Sequence, residues 1–424
     1  MKTNIGIYLS VIVVLFFFVH CTRSDKPQIV LSGKNWDAFN KKQIENLINK
    51  YGKTSENYDP AKPPYVVFDW DNTSIFLDIE EATLIYQLDN LVFGCTPVQL
   101  DTAIRVGIKD RVLKNATNKA GEKITFNQVA ADIISSYSWL YAHFKPLGGK
   151  GEVSLKKIKE SPHFTNFTAK VRFLYEAIND TYSSDVAYPW ITYLFAGLDS
   201  NQVRKMTYET VKAQSDSSIS TITWESPDPS LLSGQLSGQV SVKWKNGLRL
   251  IPEMQDLYNK FRESGFDVWI CSASFVDVIK EISSNPEFGY NNNVNHVLAM
   301  ELERDSNGKI LPEFRKGYFQ TQRMGKYKAI EKFLAGSKGK YGYPPLFIAG
   351  DSEGDQDMLN VKNLPIKSGL IINRKKGKNE LLGKLSLRAI QSYKTDTAVY
   401  LLQGRDEKTG CFVANQGHTN IKDW

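Results

Sequence analysis

The chain has 424 residues, 42% hydrophobic and 23% charged, the composition of a globular protein with a substantial core and room for two or three domains. Its net charge of +7 is spread over scattered lysines with no long basic block, which favours the approach of small anions and argues against nucleic acid as a partner. The 4 cysteines include no CxxC pair and are too scattered for a disulfide framework, so neither a zinc site nor a disulfide-stapled fold is expected.

"MKTNIGIYLSVIVVLFFFVHC" opens on a basic residue and runs apolar from Ile5 to Val19, shorter than the roughly 20 residues that span a bilayer. A signal peptide over residues 1–21 is expected. Cys21 closes the run and polar "TRSDK" follows, which resembles a bacterial lipoprotein signal, although His20 stands where a small residue is usual. Export to the periplasm or cell surface is expected, with a lipid anchor on Cys21; an uncleaved anchor or simple secretion are the alternatives. In an exported chain a Cys95–Cys411 bridge is open, while Cys271 reads as a small core residue.

Residues 22–60 read as a lead-in holding one helix, "NWDAFNKKQIENLINKYG", which stops at glycine. Prolines then break the chain before a short β-branched and aromatic strand, "YVVF". From "IEEATLIYQLDNLVF" to about residue 215 the apolar spacing is helical, as in "FTAKVRFLYEAIND" and "QVRKMTYETVKAQ", the latter capped by Asp199 or Ser200. A Ser/Thr/Pro/Gly-rich stretch follows, and "VSVKWKNGLRL" then offers Asn246-Gly247 as a two-residue hairpin turn.

The rhythm changes after residue 250. "IPEMQDLYNKFRESG" is an amphipathic helix, "FDVWICSAS" a strand, "FVDVIKEISS" a helix, "NHVLAMEL" a strand, "GKYKAIEKFLAG" a helix and "PPLFIAGDS" a strand. Such alternation implies an α/β fold with a parallel sheet covered on both faces. The expected division is a core of residues 61–82 and 248–395, a large, mainly helical cap of residues 83–247 inserted after the first strand, and a tail of residues 396–424.

Ligands of parallel sheets bind beyond the carboxyl ends of the strands. Three of the expected strands run into polar clusters there: Asp69 to Thr73, Ser272 to Ser274, and Asp351 to Asp355. "DWDNT" by itself fits a solvated turn as well as a site, and it is a poor calcium loop because Ser74 replaces the required glycine. Two acidic strand ends on one rim make a hard-oxygen site, better suited to Mg²⁺ than to Ca²⁺ because few carboxylates and retained waters are expected. Lys326 reads either as a solvated helix-start lysine or as a cation over that rim, and Ser272 as a turn serine or a hydrogen-bond donor to a phosphoryl group.

The ordered set "DWDNT", "VWICSAS", "GK" and "GDSEGD" resembles the four motifs of the haloacid dehalogenase superfamily, whose core is Rossmann-like. Asp71, two residues after Asp69, is similar to the second aspartate of the phosphatase branch. The resemblance implies Asp69 as nucleophile and Asp71 as acid and then base. It implies Ser272, Lys326 and Thr73 around the phosphoryl group. Mg²⁺ would be held by Asp69, the Asp71 backbone carbonyl and Asp351, with Asp355 in an outer role.

"GLRLIPEMQDL" followed by "SAS", with Glu80-Glu81 after the first motif, resembles the phosphoserine-phosphatase-like group and its exported phosphorylcholine-phosphatase-like members. A small phosphomonoester is the implied substrate. Glu80, Glu81 and Trp139, with Tyr137 and Tyr141 beside it, are its candidate contacts, against the plainer readings of a helix first turn and a helix core. A broad-specificity acid phosphatase or phosphotransferase is the second enzyme reading, and a surface-binding lipoprotein without turnover is the rival from another class.

Overall fold

A computed structural model describes residues 28–417; the expected signal peptide and its Cys21 lie outside the described residues. The chain is a mixed α/β protein built on a six-stranded, wholly parallel sheet. In chain order its strands are β1 (Tyr65–Phe68), β2 (Asp267–Phe275), β3 (Val297–Met300), β4 (Phe347–Gly350), β5 (Ser368–Asn373) and β6 (Tyr400–Gly404). Across the sheet the order is β6-β5-β4-β1-β2-β3.

Every residue of β1 is buried, as expected of a strand covered on both faces. Val66 and Phe68 belong to one core, Tyr65 and Val67 to the other, which is the two-residue alternation of a pleated strand. The chain moves outward from β1 to β2 and β3, then crosses back to β4 on β1's other side and continues to β5 and β6. Between β1 and β4 the direction of winding therefore reverses, and a crevice opens beyond the carboxyl ends of those two strands.

β6 corrects one sequence expectation. Residues assigned to a tail supply the edge strand of the central sheet. The lead-in helix, α1 (Ala38–Tyr51), packs against that strand: Asn40 Nδ2 donates to Leu402 O at 2.8 Å and Asp37 N to Gln403 Oε1 at 3.0 Å. An apolar run of a few residues between polar segments has no periodicity long enough to distinguish a strand from a tail.

Between α2 (Ile79–Asn90) and residue 247 the chain is mainly helical, with α3 (Phe126–His143), α4 (Pro162–Thr181), α5 (Ser184–Thr192) and α6 (Ser200–Ser215) as its larger members. Two antiparallel ribbons lie among them, Val112–Thr117 with Lys123–Thr125 and Ser220–Glu225 with Ser241–Asn246. The second ribbon overturns the expected hairpin at Asn246-Gly247. Ser241–Asn246 pairs backwards with Ser220–Glu225, whereas Arg249–Leu250 pairs with Ile75–Phe76. The left-handed Gly247, φ +96°, carries the chain from one pairing to the other, and a Cβ there would stand 2.7 Å from the Ile219 Cα.

The loop between the ribbon strands is anchored by a buried ion pair, Lys170 Nζ to Asp132 Oδ2 at 2.7 Å, both side chains 1% exposed. Asp132 also accepts from Leu236 N, Ser237 N and Ser237 Oγ. The Cys95–Cys411 bridge that the sequence left open is not formed: Cys95 is buried, with its thiol on Ala196 O at 3.0 Å, and Cys411 is exposed.

Candidate active site

The carboxyl end of β1 turns sharply. Asn72 takes a left-handed conformation, φ 57°, which asparagine tolerates better than most residues. Ser74 N donates to Trp70 O at 2.8 Å, and Ser74 Oγ to Asp69 O at 2.7 Å. The turn leaves the Asp69 carboxylate 4% exposed at the crevice, with Thr73 Oγ1 donating to its Oδ2 at 2.8 Å. Lys326, from α7 (Met324–Ile330), donates to Asp69 Oδ1 and to Asp355 Oδ1, the latter at 2.6 Å.

Across the switch point, Asp351 follows β4. Its Oδ1 accepts from Thr73 Oγ1 at 3.1 Å, and its Oδ2 from Arg374 Nη1 at 2.6 Å. Asp355 turns back on the same loop, its Oδ2 accepting from Asp351 N and Ser352 N, each at 3.0 Å. Gly350 permits this fold-back, because a Cβ there would lie 2.5 Å from the Asp355 Cβ. One oxygen from each of Asp69, Asp351 and Asp355 lies within 4.8 Å of the others. An all-oxygen donor set of this kind fits a hard divalent cation such as Mg²⁺.

Electrostatics separate these acids. Burial and the Asp355 carboxylate push Asp69 above the ordinary range, against the pull of Lys326. Burial would raise Asp351 too, but the Arg374 guanidinium holds it below its usual value. Burial opposes the Lys326 charge as well, yet Asp355 and Asp69 keep its ammonium well above the ordinary lysine range.

The Asp71 side chain stands outside this carboxylate group. Its Oδ1 accepts from Ile79 N and its Oδ2 from Ser274 Oγ, each at 2.7 Å, with Ser272 Oγ at 3.4 Å. Among the described residues no cation touches it. Burial pushes it up to about 7, the Ser274 hydroxyl drawing it down and Asp69 drawing it up. Ser272 itself is fully buried and accepts from Ser274 N at 3.1 Å, so the serine hydroxyl that lines the cleft is that of Ser274.

A cleft of about 600 Å³ opens over Asp69, Asp71 and Lys326 and extends to residues of the inserted region, among them Ser184, Tyr188 and Lys245. Of the three expected substrate contacts it includes Glu81 alone. The Glu81 carboxylate is held by Arg172 Nη2 and Tyr175 OH, each at 3.2 Å. Glu80 points away from the cleft, its Oε2 capping Phe275 N at the end of β2, and burial pushes it well above the usual carboxylate range.

Trp139 is likewise away from the cleft. It lies on α3, stacked between His143 at 4.0 Å and His163 at 4.6 Å. Tyr137 is buried in the same region with its hydroxyl on Cys95 O, and Tyr141 packs beside it. Helical spacing of aromatics served packing here.

Sequence reasoning passed over Ser274, Asp78, Tyr188, Arg374 and Arg405. Asp78 caps α2, accepting from Glu80 N and Glu81 N at 2.9 Å, and lines the cleft; a D-x-x-E run before a helix was its signal. Arg405 follows β6 and donates to Asn72 O at 2.6 Å, bracing the turn after β1. Arg374 and Arg405 stand immediately after strands, the position at which Asp69 and Asp351 also stand. Tyr188 carries no local signal, because only the packing of the inserted region brings it over the rim.

No protein-family model matches the chain. Phosphorylcholine phosphatase of Pseudomonas aeruginosa is 21% identical over 273 residues, a match taking in 63% of this chain and 55% of that protein. The chain thus spans about half the length of the curated relative it matches. The solved structure of a conserved, functionally unknown protein from Anaerococcus prevotii superposes with a TM-score of 0.81 at 29% identity, covering 92% of this chain and 98% of that one. A phosphoserine phosphohydrolase-like protein from Francisella tularensis covers 76% of this chain and 92% of its own at 9% identity, but a TM-score of 0.31 is too loose to bear on the site. The curated match makes the chain distantly similar to a phosphatase.

Proposed function

We propose that the chain is a Mg²⁺-dependent phosphomonoester hydrolase that works through an aspartyl-phosphate. The observation that carries this reading is the division of labour between two aspartates of one turn. Burial raises both carboxyls, but Asp69 has a cation, Lys326, that favours its ionised form, whereas Asp71, raised to about 7, meets no cation among the described residues. The first is a carboxylate held ready as nucleophile; the second is an acid able to donate and recover a proton near neutrality.

In the first displacement an Asp69 oxygen bonds to phosphorus and the phosphorus–ester oxygen bond breaks. The departing alkoxide takes the proton from Asp71. In the second, Asp71 accepts a proton from water, the water oxygen bonds to phosphorus, and the acyl-phosphate bond to Asp69 breaks, releasing phosphate. Lys326 offsets charge on the phosphoryl oxygens, and Thr73 and Ser274 hold the two aspartates in place. Asp69 and Asp351 would hold the metal, with Asp355 in support and the Asp71 backbone carbonyl as a further ligand. A bound Mg²⁺ supplies Lewis-acid neutralisation of phosphoryl charge.

The substrate in this proposal is a small organic phosphate of the phosphorylcholine or phosphoserine kind. Its support is the name of the curated relative, together with Asp78, Glu81 and Tyr188 on the cleft wall, carboxylates and an aromatic face suited to a cationic alcohol. One observation favours the broad-specificity reading: Glu81 is already engaged by Arg172 and Tyr175. Export and anchoring at Cys21 belong to the proposal through the leader sequence and are tested by metabolic labelling with a fatty acid.

The deciding assay measures phosphate release from phosphorylcholine, phosphoserine and an aryl phosphate, with and without Mg²⁺. Asp69→Asn is expected to abolish release while the protein stays folded, and full activity in that variant overturns the proposal. Equal rates on all three esters remove the preference for a cationic substrate.

A further inference from the structure

Of the cations lining the cleft the four sequence clusters use Lys326 alone, and among the others Arg374 is the one bonded to a clustered carboxylate among the described residues. Arg374 directly follows β5 and lines the cleft beside Asp351. Its Nη1 donates to Asp351 Oδ2 at 2.6 Å, and its Nε is buried with no partner. Lys326 is 3% exposed and committed to Asp69 and Asp355, whereas the Arg374 side chain is 27% exposed. Each of the three clustered carboxylates thus has a cationic partner, and the partner on Asp351 is the one that reaches solvent.

Charge counting gives this arrangement a consequence. Three carboxylates against two cations leave one net negative charge. A dication makes the site net positive, and a phosphoryl dianion then restores the original balance. A guanidinium at this place, bonded to a carboxylate of the candidate metal site, opposes the metal and favours the phosphoryl group. Its planar fork suits phosphoryl oxygens.

We propose that Arg374 is a second phosphoryl-binding cation that also guards Asp351, yielding the Asp351 oxygen to the metal and turning its donors to the phosphoryl oxygens. This inference rests on the phosphatase reading given above.

Titration calorimetry of the folded protein tests it, first with Mg²⁺ alone and then with inorganic phosphate at saturating Mg²⁺. In Arg374→Gln the Mg²⁺ affinity is expected to tighten by about fivefold or more, and the phosphate affinity to weaken by about tenfold or more. Arg374→Lys keeps the charge and loses the fork, so its Mg²⁺ affinity is expected within about threefold of the original protein and its phosphate affinity between those of the original and the glutamine variant. Unchanged or weaker Mg²⁺ binding in the glutamine variant, or unchanged phosphate binding, overturns the proposal.

If the original protein binds neither ligand, the phosphatase reading fails and the role of Arg374 falls with it. Should the glutamine variant not fold, a crystal structure of the original protein with Mg²⁺ and phosphate decides. A guanidinium nitrogen within hydrogen-bond distance of a phosphate oxygen supports the proposal. A guanidinium still on Asp351 and clear of the phosphate refutes it.

Discussion

Replacing Ser274 by alanine removes one hydroxyl, 2.7 Å from the oxygen on which the proposed acid turns. That hydrogen bond favours the ionised form of Asp71, so its loss raises the carboxyl further above its present value of about 7. A hydrogen bond to a charged group contributes about 1.5–3 kcal/mol. The Ile79 N–H at 2.7 Å remains, and Ser272 Oγ at 3.4 Å has room to close in, so part of the loss is recovered. A net loss of about 1.4 kcal/mol is one pKa unit, which places the variant near ~8.

An alkyl phosphate needs a proton on its leaving oxygen, and an aryl phosphate hardly does. Phosphoenzyme formation from the alkyl ester therefore falls as pH rises through the Asp71 value, and Ser274→Ala moves that fall upward by about one unit. Hydrolysis of the phosphoenzyme needs Asp71 ionised, so its loss on the acid side moves upward as well. A bound dication lowers Asp71 in both proteins alike and leaves the displacement intact. Single-turnover rates for the two esters across pH 5 to 10 read the limbs directly. An unmoved alkyl limb, or one displaced downward, in a folded variant refutes the role assigned to Asp71.

Trp139→Ala is expected to leave kcat and KM for every ester within about twofold, since the ring stacks on two histidines away from the cleft; a tenfold change in KM would return it to the substrate. Asp132→Ala strands Lys170 in a site where both are 1% exposed, and about 3 kcal/mol of stability should be lost, read as a lower urea midpoint. Arg405→Lys removes the fork that holds Asn72, so kcat should fall about tenfold with the Mg²⁺ affinity little changed. Chelation of divalent ions should abolish turnover and Mg²⁺ should restore it; turnover that persists in chelator would remove the metal from the proposal.

The alternation of strands and helices after residue 250 was legible because each strand is short, apolar and bounded by turn residues, as in "FDVWICSAS". The acids were legible because a carboxylate ending a buried strand needs compensation, and two such ends occur beside a third, serine-bearing one. β6 was not legible: only its pairing with β5 and the packing of α1 reveal that the run "YLLQG" is a sheet edge. The Asn246-Gly247 hairpin failed for a related reason. The dipeptide does turn the chain, but Ser220–Glu225 offers six paired residues to the preceding strand, and the two residues Arg249–Leu250 are drawn to Ile75–Phe76 instead. Local turn chemistry specified a bend and left the partners to tertiary packing.

The same distinction explains why the cations of the site were found unevenly. Lys326 could be suggested from its place before a helix between two strand motifs, but Arg374 and Arg405 follow strands the sequence reading did not single out, one in the expected core and one in the expected tail. An arginine after an apolar run is ordinarily solvated, and nothing within ten residues of either one is a catalytic acid. The topology supplies what spacing lacks. Because β4, β5 and β6 fan out on one side of β1, their carboxyl ends bring Asp351, Arg374 and Arg405 to the edge of the crevice that Asp69 faces. A buried group of acids requires cations from somewhere, and in a singly wound half-sheet the next strands outward are the nearest source. The search rule that follows is to ask, for each acidic strand end, which basic residue ends the neighbouring strands. Applied here, it points to Arg374 first.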